Sequence, residues 1–437
     1  MRPSRRLDVV VVGAGPAGLA AADAVAALGR SVLLIDQGSR GGGQVWRHRP
    51  GERLPRAARR LLGAVQPPRV AVARRAAVID AASPHELVVD FDGRTAIIET
   101  SSIVLATGAV ERFLPFPGWT LPGVVGVGAM QALCKSGLEL SGARVVLAGT
   151  GPLLLPVAAT LRRAGARLVL IGEQVPARRL RRFAMRALLS PARLAQALQY
   201  RAATWPVPYR SDTWVVRAEG HHAVERAILS VGGEERVEPC DWIATAAGLL
   251  PRTELGTLLG CAVGDDGIVV DQQQATSIDG VWAAGECCGV AGDDAAQAEG
   301  AIAGMAAAGA TEIPAALGRR RDRGRAFGWL LREEFAPRRE LLDRVTPRTV
   351  ICRCEDVRQE SIDPAWSQRQ AKLWTRVAMG ACQGAVCGPA CEALYGWRRN
   401  AVRPPLEQPS VGAWASALER LTPDPVAVGE SPPQRGA

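Results

Sequence analysis

The chain has 437 residues, of which 48% are hydrophobic and 22% are charged. This length predicts roughly three domains, and the composition is that of an ordinary globular protein, which excludes a disordered chain, a collagen-like repeat and a membrane bundle. The net charge is +10, and nearly all of the 53 basic residues are arginines scattered among small residues. Because they form no basic run interleaved with aromatic side chains, we expect no nucleic-acid partner.

The N-terminal segment imitates a secretion signal. Arg5-Arg6 precedes an apolar stretch, as in a twin-arginine signal peptide. Asp8 and Asp23 interrupt that stretch, and the same residues are explained by a nucleotide-binding unit. Elsewhere no run of ~18 residues stays apolar without Gly, Pro or charge, so the sequence predicts a cytoplasmic protein with no membrane span.

The first nucleotide-binding pattern follows at once. A run of valines at 9–12 precedes Gly13-Ala14-Gly15-Pro16-Ala17-Gly18 and an alanine-rich stretch at 19–28, which predicts a strand, a tight turn and a helix. A second apolar strand at 32–35 ends in Asp36, where an acid can accept hydrogen bonds from a ribose. Glycines in such a turn let a pyrophosphate approach the backbone at the helix N-terminus. The pattern predicts a dinucleotide site formed by Gly13, Gly15, Pro16, Ala17, Gly18 and Asp36.

Two further segments resemble the flavin signatures of flavoproteins with two dinucleotide-binding domains. Residues 102–108 end in Ala-Thr-Gly, and residues 276–286 end in Ala-Ala-Gly-Glu, whose closing acid in that superfamily binds the ribityl chain. Both would flank one FAD although they lie about 170 residues apart, so a domain must be inserted between them. The resemblance implies further FAD contacts from Gln37, Gly43, Gln44, Val78, Ala106, Thr107, Gly108, Gly285, Glu286 and Gln297.

The inserted segment repeats the first pattern. An apolar strand at 144–148 precedes Gly149-Thr150-Gly151-Pro152, and after a helix-like stretch a strand at 168–171 is closed by Glu173. This arrangement resembles the pyridine-nucleotide domain of disulfide-reductase-like flavoproteins, and the closing acid favours NAD over NADP.

Two residues of this second pattern depart from the fingerprint. Leu154 replaces the third glycine, and Pro156 lies in the first turns of the predicted helix. Two interpretations therefore remain open: Gly149, Gly151 and Glu173 bind NAD or another nucleotide, or the domain has lost its nucleotide.

The cysteines favour a metal centre over disulfide chemistry. Five of the ten cysteines fall between residues 352 and 391, and clustering of this kind in a cytosolic chain is typical of a metal site. Disulfide reduction would need a Cys-x-x-Cys or similar pair beside the flavin. Cys134 has no cysteine near it in sequence, so we expect it to be buried in a helix. Cys287 and Cys288 are adjacent, so we expect them to pack in the interior and not to form a useful disulfide.

The clustered cysteines form two close pairs. Cys352 and Cys354 are followed 28 residues later by Cys382 and Cys387, and two pairs of thiolates can hold a 2Fe-2S cluster or a structural zinc. The pattern resembles the bacterioferritin-associated-ferredoxin-like domain, a small helical fold, which implies that these four cysteines bind 2Fe-2S. Cys391 lies one helical turn beyond Cys387 and is either a spare thiol or an alternate ligand.

The chain as a whole resembles the α subunits of opine oxidase, hydrogen cyanide synthase and D-hydroxyproline dehydrogenase complexes. The resemblance covers residues 7 to 400 and is most specific at 149–158 and 379–389. It implies an electron-transfer subunit with FAD and 2Fe-2S, a β subunit similar to D-amino acid oxidases that dehydrogenates a carbon–nitrogen bond, and in some members a small ferredoxin-like γ subunit. An FMN at a subunit interface is left open.

We therefore expect an α/β protein with two Rossmann-like dinucleotide-binding domains, of the disulfide-reductase-like FAD/NAD(P) fold, and a small C-terminal helical iron-sulfur domain. No acid–base pair marks a substrate-oxidising site, so no catalytic residue is assigned. Two other functions remain open: a stand-alone NAD(P)H-dependent reductase of a ferredoxin-like acceptor, and a structural subunit with vestigial cofactor sites. The expected boundaries are 1–118 with 246–325 for the FAD domain, 119–245 for the inserted domain, 345–402 for the cluster domain, and 403–437 for a Pro-rich tail whose last third is poorly ordered.

Overall fold

The computed structural model describes residues 6–187, 191–397 and 402–415. The first unit is a mixed sheet with order β3-β2-β1-β6-β5-β4, in which β1, β2, β3 and β6 run parallel and β4, β5 and β6 form an antiparallel meander. Its elements are β1 (Leu7–Val12), α1 (Pro16–Ala27), β2 (Val32–Asp36), α2 (Arg56–Ala64), β3 (Ala71–Arg74), β4 (Ala76–Ser83), β5 (Glu86–Phe91) and β6 (Arg94–Leu105).

The centre of this sheet is fully buried. Val9, Val10 and Val11 of β1 have no exposed surface, as expected for a parallel strand covered on both faces. The Gly13 amide donates to the carbonyl of Ile35, which joins the turn after β1 to the end of β2. The predicted strand, turn and helix are therefore confirmed, and they place the turn at the carboxyl edge of the sheet.

The second unit is inserted after β6. Its five-stranded parallel sheet has the order β11-β10-β9-β15-β8, β12 to β14 form an antiparallel sheet, and β7 pairs antiparallel with β16 where the chain enters and leaves. The elements are β7 (Ala109–Glu111), β8 (Val124–Gly126), α3 (Val127–Ser136), β9 (Arg144–Gly149), α4 (Leu154–Arg163), β10 (Arg167–Glu173), α5 (Ala177–Ala187), α6 (Pro191–Ala203), β11 (Tyr209–Arg210), β12 (Thr213–Glu219), β13 (Arg226–Val231), β14 (Glu234–Pro239), β15 (Trp242–Thr245) and β16 (Leu249–Pro251).

The chain then returns to the first sheet. The returning elements are α7 (Glu254–Leu258), β17 (Val263–Gly264), β18 (Gly267–Ile268), β19 (Val281–Ala283), α8 (Asp293–Ala307) and α9 (Ala315–Glu334). Strand β19 pairs parallel with β6, and a 3-10 turn, Glu286–Cys288, follows it. Helix α8 crosses α1 so closely that a Cβ atom on Gly300 would lie 2.0 Å from the Ala17 carbonyl oxygen. The two flavin-like segments thus meet in one domain.

The C-terminal region is small and mainly helical. It contains α10 (Glu340–Asp343), β20 (Val350–Cys352), β21 (Val357–Arg358), α11 (Gln368–Thr375) and α12 (Cys387–Tyr395). Ser367 and Gln370 form a capping box at the start of α11, which satisfies two backbone amides there. The Trp119 indole donates to the Val350 carbonyl at 2.6 Å and so ties this region to the inserted domain. The predicted α/β class with two Rossmann-like units is confirmed.

The first part of the Pro-rich tail packs on the first domain. The Leu406 amide donates to the Ile79 carbonyl at 2.8 Å, Arg252 pairs with Glu407 at 2.6 Å, and Trp414 packs against Ile79. The last third of the tail, predicted to be poorly ordered, lies outside the described residues. Within the ranges that are described, no helix is long and apolar enough to cross a membrane.

Candidate functional site

The glycines of the first turn have different structural tasks. A Cβ atom on Gly13, whose φ is +107°, would lie 2.3 Å from the Ala106 carbonyl oxygen, and one on Gly18 would lie 1.7 Å from that of Gly13. A Cβ atom on Gly15 would meet nothing within 4 Å. Gly13 and Gly18 are therefore needed for close packing, whereas Gly15 leaves the N-terminus of α1 open to a ligand phosphate.

A cavity opens at this turn. Four chain segments contribute its wall: the first turn, the loop between β2 and α2 through Val45, the end of β6, and the stretch from β19 to α8. Six predicted FAD contacts line it together. The lining residues are Gly15, Pro16, Ala17, Val45, Ala106, Gly108, Ala284, Glu286, Asp293 and Ala296.

An acidic group lies at the far wall of this cavity. Burial, together with the nearby carboxylates of Asp293 and Glu299, raises the pKa of Glu286 to about 7. Glu299 is 2% exposed, accepts a hydrogen bond from the Gly285 amide at 2.9 Å and pairs with Arg325 at 2.7 Å. Sequence reasoning missed the pair of Glu299 with Arg325, which holds the turn carrying Glu286.

Asp36 lies at the end of β2 as predicted. Its two carboxylate oxygens accept hydrogen bonds from the amides of Ala14, at 2.6 Å, and Gly38, at 2.7 Å. Each oxygen keeps a second lone pair, so the backbone orients the carboxylate and leaves it able to accept further hydrogen bonds. The neighbouring Gln37 is exposed.

The other predicted FAD contacts are not among the residues that line the cavity. The Thr107 hydroxyl donates to the Arg252 carbonyl at 2.7 Å, and a Cβ atom on Gly43 would lie 3.0 Å from the Cα atom of Gly15. Gln44 is exposed and accepts from Arg47 at 3.1 Å. Val78 is buried in β4, and the Gln297 side chain donates to the Asp293 carbonyl at 3.2 Å.

The clustered thiols meet in the C-terminal region. Cys354 lies close enough to Cys382 for the two thiols to shift each other's pKa, and the pKa of Cys387 is likewise affected by Cys352 and Cys391. Cys391 is buried one turn along α12 from Cys387, as predicted. The neighbouring thiol of Cys391 and burial raise the pKa of Cys387.

These donors form pairs and not a single coordination point. Among residues 6–187, 191–397 and 402–415, no three His, Cys, Asp or Glu side chains are grouped as one metal ion requires. A tetrahedral zinc needs four donors around one point, whereas 2Fe-2S takes two donors on each of two irons. In the described residues the four predicted ligands lie as two pairs, Cys354 with Cys382 and Cys352 with Cys387.

The remaining predicted cysteine roles agree with the structure. Cys134 is 6% exposed and lies in α3, as predicted. The Cys287 and Cys288 sulfur atoms lie 3.8 Å apart without a bond, and the Cys287 thiol donates to the Ala284 carbonyl at 3.3 Å. All ten cysteines fall in the described ranges and all are free thiols.

The second nucleotide pattern is arranged differently. Glu173 has no exposed surface and accepts hydrogen bonds from the amides of Gly151, at 2.8 Å, and Val175, at 3.1 Å. Burial raises its pKa to about 7. A Cβ atom on Gly149 would lie 2.7 Å from the Ala246 carbonyl oxygen, so this glycine serves strand packing.

Sequence reasoning missed two residues beside this second pattern. Gln174 is fully buried and binds the segment that follows α9, and Arg344 of that segment lines a cavity with Gly149. No local spacing could have indicated either role, because the contacts join residues more than 160 positions apart.

Comparison with known proteins places these features in a family. Residues 7–308 match the family described as "Pyridine nucleotide-disulphide oxidoreductase". An opine oxidase subunit from Agrobacterium tumefaciens (strain Ach5) is 33% identical over 426 residues, which cover 87% of this chain and 84% of that protein. Hydrogen cyanide synthase subunit HcnB of Pseudomonas protegens is 32% identical over 433 residues, which cover 88% of this chain and 91% of the relative.

Among solved structures, L-proline dehydrogenase from P. horikoshii shares the fold. Its TM-score is 0.69 at 20% sequence identity, and the match covers 94% of this chain and 79% of that one. Thioredoxin reductase of Lactococcus lactis matches 69% of this chain with a TM-score of 0.54 at 21% identity. The chain therefore belongs to the pyridine nucleotide-disulphide oxidoreductases, a family that binds FAD and NAD(P), and within it to the flavin oxidoreductase subunits typified by HcnB and its opine oxidase counterpart.

Proposed function

We propose that the chain is the FAD- and 2Fe-2S-containing electron-transfer subunit of a multisubunit dehydrogenase that oxidises an amine or imino acid at a CH–NH bond in a partner subunit. The observation that carries this proposal is the fusion of a flavin-type cavity to a region in which five cysteines fall between residues 352 and 391 and the four predicted ligands lie as two pairs. A two-electron flavin joined to a one-electron centre is suited to passing electrons between redox partners.

The chain's own residues would hold FAD in a defined orientation. The amides at the N-terminus of α1 would bind the pyrophosphate beside Gly15, Asp36 would accept hydrogen bonds from the ribose, and Glu286 would bind the ribityl chain. A bound flavin supplies one- and two-electron transfer at its ring. Glu299 and Arg325 are positioning residues, because they fix the turn that carries Glu286.

The cysteine region would hold the cluster through Cys352, Cys354, Cys382 and Cys387, with Cys391 as a spare thiol. Cys354 is exposed whereas Cys352 and Cys387 are buried, so one edge of the cluster would face the surface, where a partner can approach. A cluster of this kind requires reduced thiols, which favours a cytoplasmic location.

We propose that the partner is a D-amino-acid-oxidase-like β subunit, which oxidises an opine, D-hydroxyproline or glycine-type substrate, with a small ferredoxin-like γ subunit in some complexes and an FMN where the subunits meet. The relatives' names support an assembly, because HcnB and the opine oxidase relative are both named as subunits.

The test is to express the chain with and without an amino-acid-oxidase-like neighbour and to assay amine-dependent dye reduction. We expect turnover only for the complex and loss of turnover in Cys382→Ser, which removes a cluster thiolate. Cys391→Ser is the matched control and should keep both activity and the visible absorption of the cluster.

Two results would contradict the proposal. Amine turnover by the isolated chain would mean that the substrate pocket lies in this chain and not in a partner. Stoichiometric zinc without iron after anaerobic purification would mean that the cysteine region holds no electron carrier. Robust NADH oxidation by the isolated chain would instead support a stand-alone NAD(P)H-dependent reductase.

A further inference from the structure

The glycine turns of the FAD domain and of the inserted domain differ in where the following helix begins. In the FAD domain α1 begins at Pro16, directly after Gly15, whose φ is −73°. In the inserted domain the corresponding Gly151 has a φ of +88°, and α4 begins only at Leu154. The residues that would bring helical amides to a pyrophosphate are therefore not helical in the second turn.

The first amides of α4 are bonded inside the turn. A phosphate at a helix N-terminus is bound by the first amides of the helix, which have no partner within it. In α4 the Leu154 amide donates to the Gly151 carbonyl at 3.2 Å. The Leu155 amide donates to the Pro152 carbonyl at 3.3 Å, and the next residue, Pro156, has no N–H group. The two departures from the fingerprint, Leu154 and Pro156, thus both belong to a helix start that is poorly suited to a phosphate.

The acids that close the second strand of each pattern differ in exposure. Asp36 is half-buried, so its remaining lone pairs can be reached by a ribose. Glu173 has no exposed surface, and its carboxylate accepts hydrogen bonds from the amides of Gly151 and Val175 at 2.8 and 3.1 Å. A ribose could reach Glu173 only if the residues that cover it moved away.

The second turn is covered by the chain itself. The covering segment consists of residues 335–338, directly after α9. The Thr150 hydroxyl donates to the Phe335 carbonyl at 2.9 Å. A Cβ atom on Gly151 would lie 3.9 Å from the Phe335 ring, whereas one on Gly15 would meet nothing within 4 Å. The Phe335 ring therefore lies on the side of the turn that is open in the FAD domain.

Buried polar contacts hold the covering segment in place. The fully buried Gln174 side chain donates to the Ala336 carbonyl and accepts from the Arg338 amide, both at 2.9 Å. The Arg338 guanidinium pairs with Asp212 and lies 4.4 Å from the centre of the Trp214 ring. The covering segment is thus fixed to the inserted domain on both sides of the turn.

A pyridine nucleotide and the covering segment would occupy the same space. A pyrophosphate at Gly151 would have to displace Phe335 and break the hydrogen bonds of Gln174, which leaves buried polar groups without partners. The crevice that remains beside Gly149 has room for about one water molecule. We propose that the glycine turn of the inserted domain binds the chain's own residues 335–338 in place of a pyridine nucleotide, and that it accepts neither NADH nor NADPH.

The inserted domain then serves to connect the chain and not to supply reducing equivalents. The covering segment leads from α9 to the cysteine region, and the turn holds that connection. A flavin in the FAD domain has to exchange electrons with a donor other than a pyridine nucleotide bound at this turn. The inference does not rest on the proposed amine chemistry, because nucleotide binding and amine turnover are measured separately.

The test measures nucleotide binding by the full FAD-loaded chain. In equilibrium dialysis with NADH and, separately, NADPH at up to ~1 mM, which would reveal even weak binding, we expect no saturable binding. Hydrogen–deuterium exchange in peptides that contain residues 150–155 and 335–338 should be unchanged by either nucleotide. Stoichiometric binding of either one, or protection of residues 150–155 when it is added, would overturn the exclusion.

Gln174→Ala tests whether the covering segment is bound at the turn. Residues 335–338 should exchange at least ~10-fold faster in this variant than in the parent, because the Arg338 amide loses its acceptor. Gln66→Ala removes an exposed side chain with a single hydrogen bond and should leave this exchange unchanged. Rapid exchange of residues 335–338 already in the parent would overturn the occupancy of the turn. Flavin absorbance reports whether each variant is folded, and the dialysis of the parent tests the exclusion even if Gln174→Ala misfolds.

Discussion

At the scale of single residues, the first turn contains two glycines that the packing requires and one, Gly15, that the packing does not require. Gly13 and Gly18 each lie where a Cβ atom would overlap a backbone carbonyl, so any replacement disturbs the junction of β1 and α1. Gly15 has an ordinary φ of −73° and open space on its free side. A side chain there would enter the cavity and not the core.

Gly15→Trp should therefore fold but lose FAD. We expect flavin occupancy to fall at least tenfold, because the indole would fill the space beside the helix N-terminus where the pyrophosphate must bind. Absorbance at the flavin band and circular dichroism measure occupancy and folding separately. Gly63→Trp places the same side chain in open space on α2 and should leave occupancy unchanged; full occupancy in Gly15→Trp would refute the assignment.

Glu286 gives a pH-dependent prediction for the flavin-free protein. Burial and two neighbouring carboxylates raise its pKa from 4.5 to about 7. Between these two pH values the folded protein therefore keeps a proton on Glu286 that the unfolded chain has released. The contribution of Glu286 to the free energy of unfolding is fully present below pH 4.5 and is lost as the pH rises through 7. Glu286→Gln should remove this loss and stabilise the apoprotein at pH 8 by about 1–3 kcal/mol relative to the parent.

Urea unfolding at pH 5 and pH 8 measures that difference, with the exposed Glu312→Gln as control. The same Glu286→Gln change should weaken FAD binding, since an amide replaces an accepting carboxylate. A parent apoprotein whose advantage over Glu286→Gln grows with pH would contradict the assigned direction.

At the scale of elements, the sequence predicted those strands, turns and helices whose signals lie close together in the chain. Runs of valine beside glycine turns fixed β1, β9 and the helices that follow them, because each signal spans fewer than about 30 residues. Residues such as Val78 and Gln297 were inferred only by resemblance, and the structure buries both outside the cavity wall. The positions of these two side chains depend on how β4 and α8 pack, and no short motif in the sequence predicts that packing.

Helix α9 packs on the start of α8 through glycines, and this contact is testable within one helix. A Cβ atom on Gly328 would lie 2.3 Å from the Val290 carbonyl oxygen, whereas one on Gly318 would approach nothing closer than 3.9 Å, at the end of the Arg321 side chain. Gly328→Ala should cost about 1–3 kcal/mol through overpacking. Gly318→Ala should stabilise by about 0.5–1 kcal/mol, since alanine favours the helix.

Chemical denaturation of the two variants separates propensity from packing. If both changes stabilised the protein, the close approach of α9 to the Val290 backbone would be wrong. If both destabilised it, helix propensity would not govern the half-buried position Gly318.

At the scale of the whole molecule, the segment between α9 and β20 connects three units. It touches the glycine turn of the inserted domain through Phe335 and Ala336, and its end leads into the cysteine region. These contacts join residues separated by 162 to 185 positions. Prolines and arginines in the segment indicate a surface linker when taken alone, and most of it is exposed or half-buried. What the sequence could not predict is the burial of Phe335, Leu341 and Thr349 against other parts of the chain.

Gln174 is the main polar anchor of this segment, and its removal should loosen the molecule between domains. The side chain is fully buried and makes hydrogen bonds to Thr150, Ala336 and Arg338 at 2.9 to 3.0 Å. Gln174→Ala leaves those partners unsatisfied, so we expect a loss of about 2–4 kcal/mol. Because the segment carries Arg338 and Arg339, limited trypsin digestion should cut there several-fold faster in the variant.

Gln66→Ala is the matched control for that experiment, because its side chain is exposed and makes a single hydrogen bond to the Leu62 carbonyl. It should change stability by less than ~0.5 kcal/mol and leave the digestion pattern unchanged. Mass spectrometry identifies the cleavage site. Equal digestion of parent and Gln174→Ala after Arg338 and Arg339 would mean that the segment is held by its other contacts, such as the packing of Leu341 with Trp214 and Ala247, and not by Gln174.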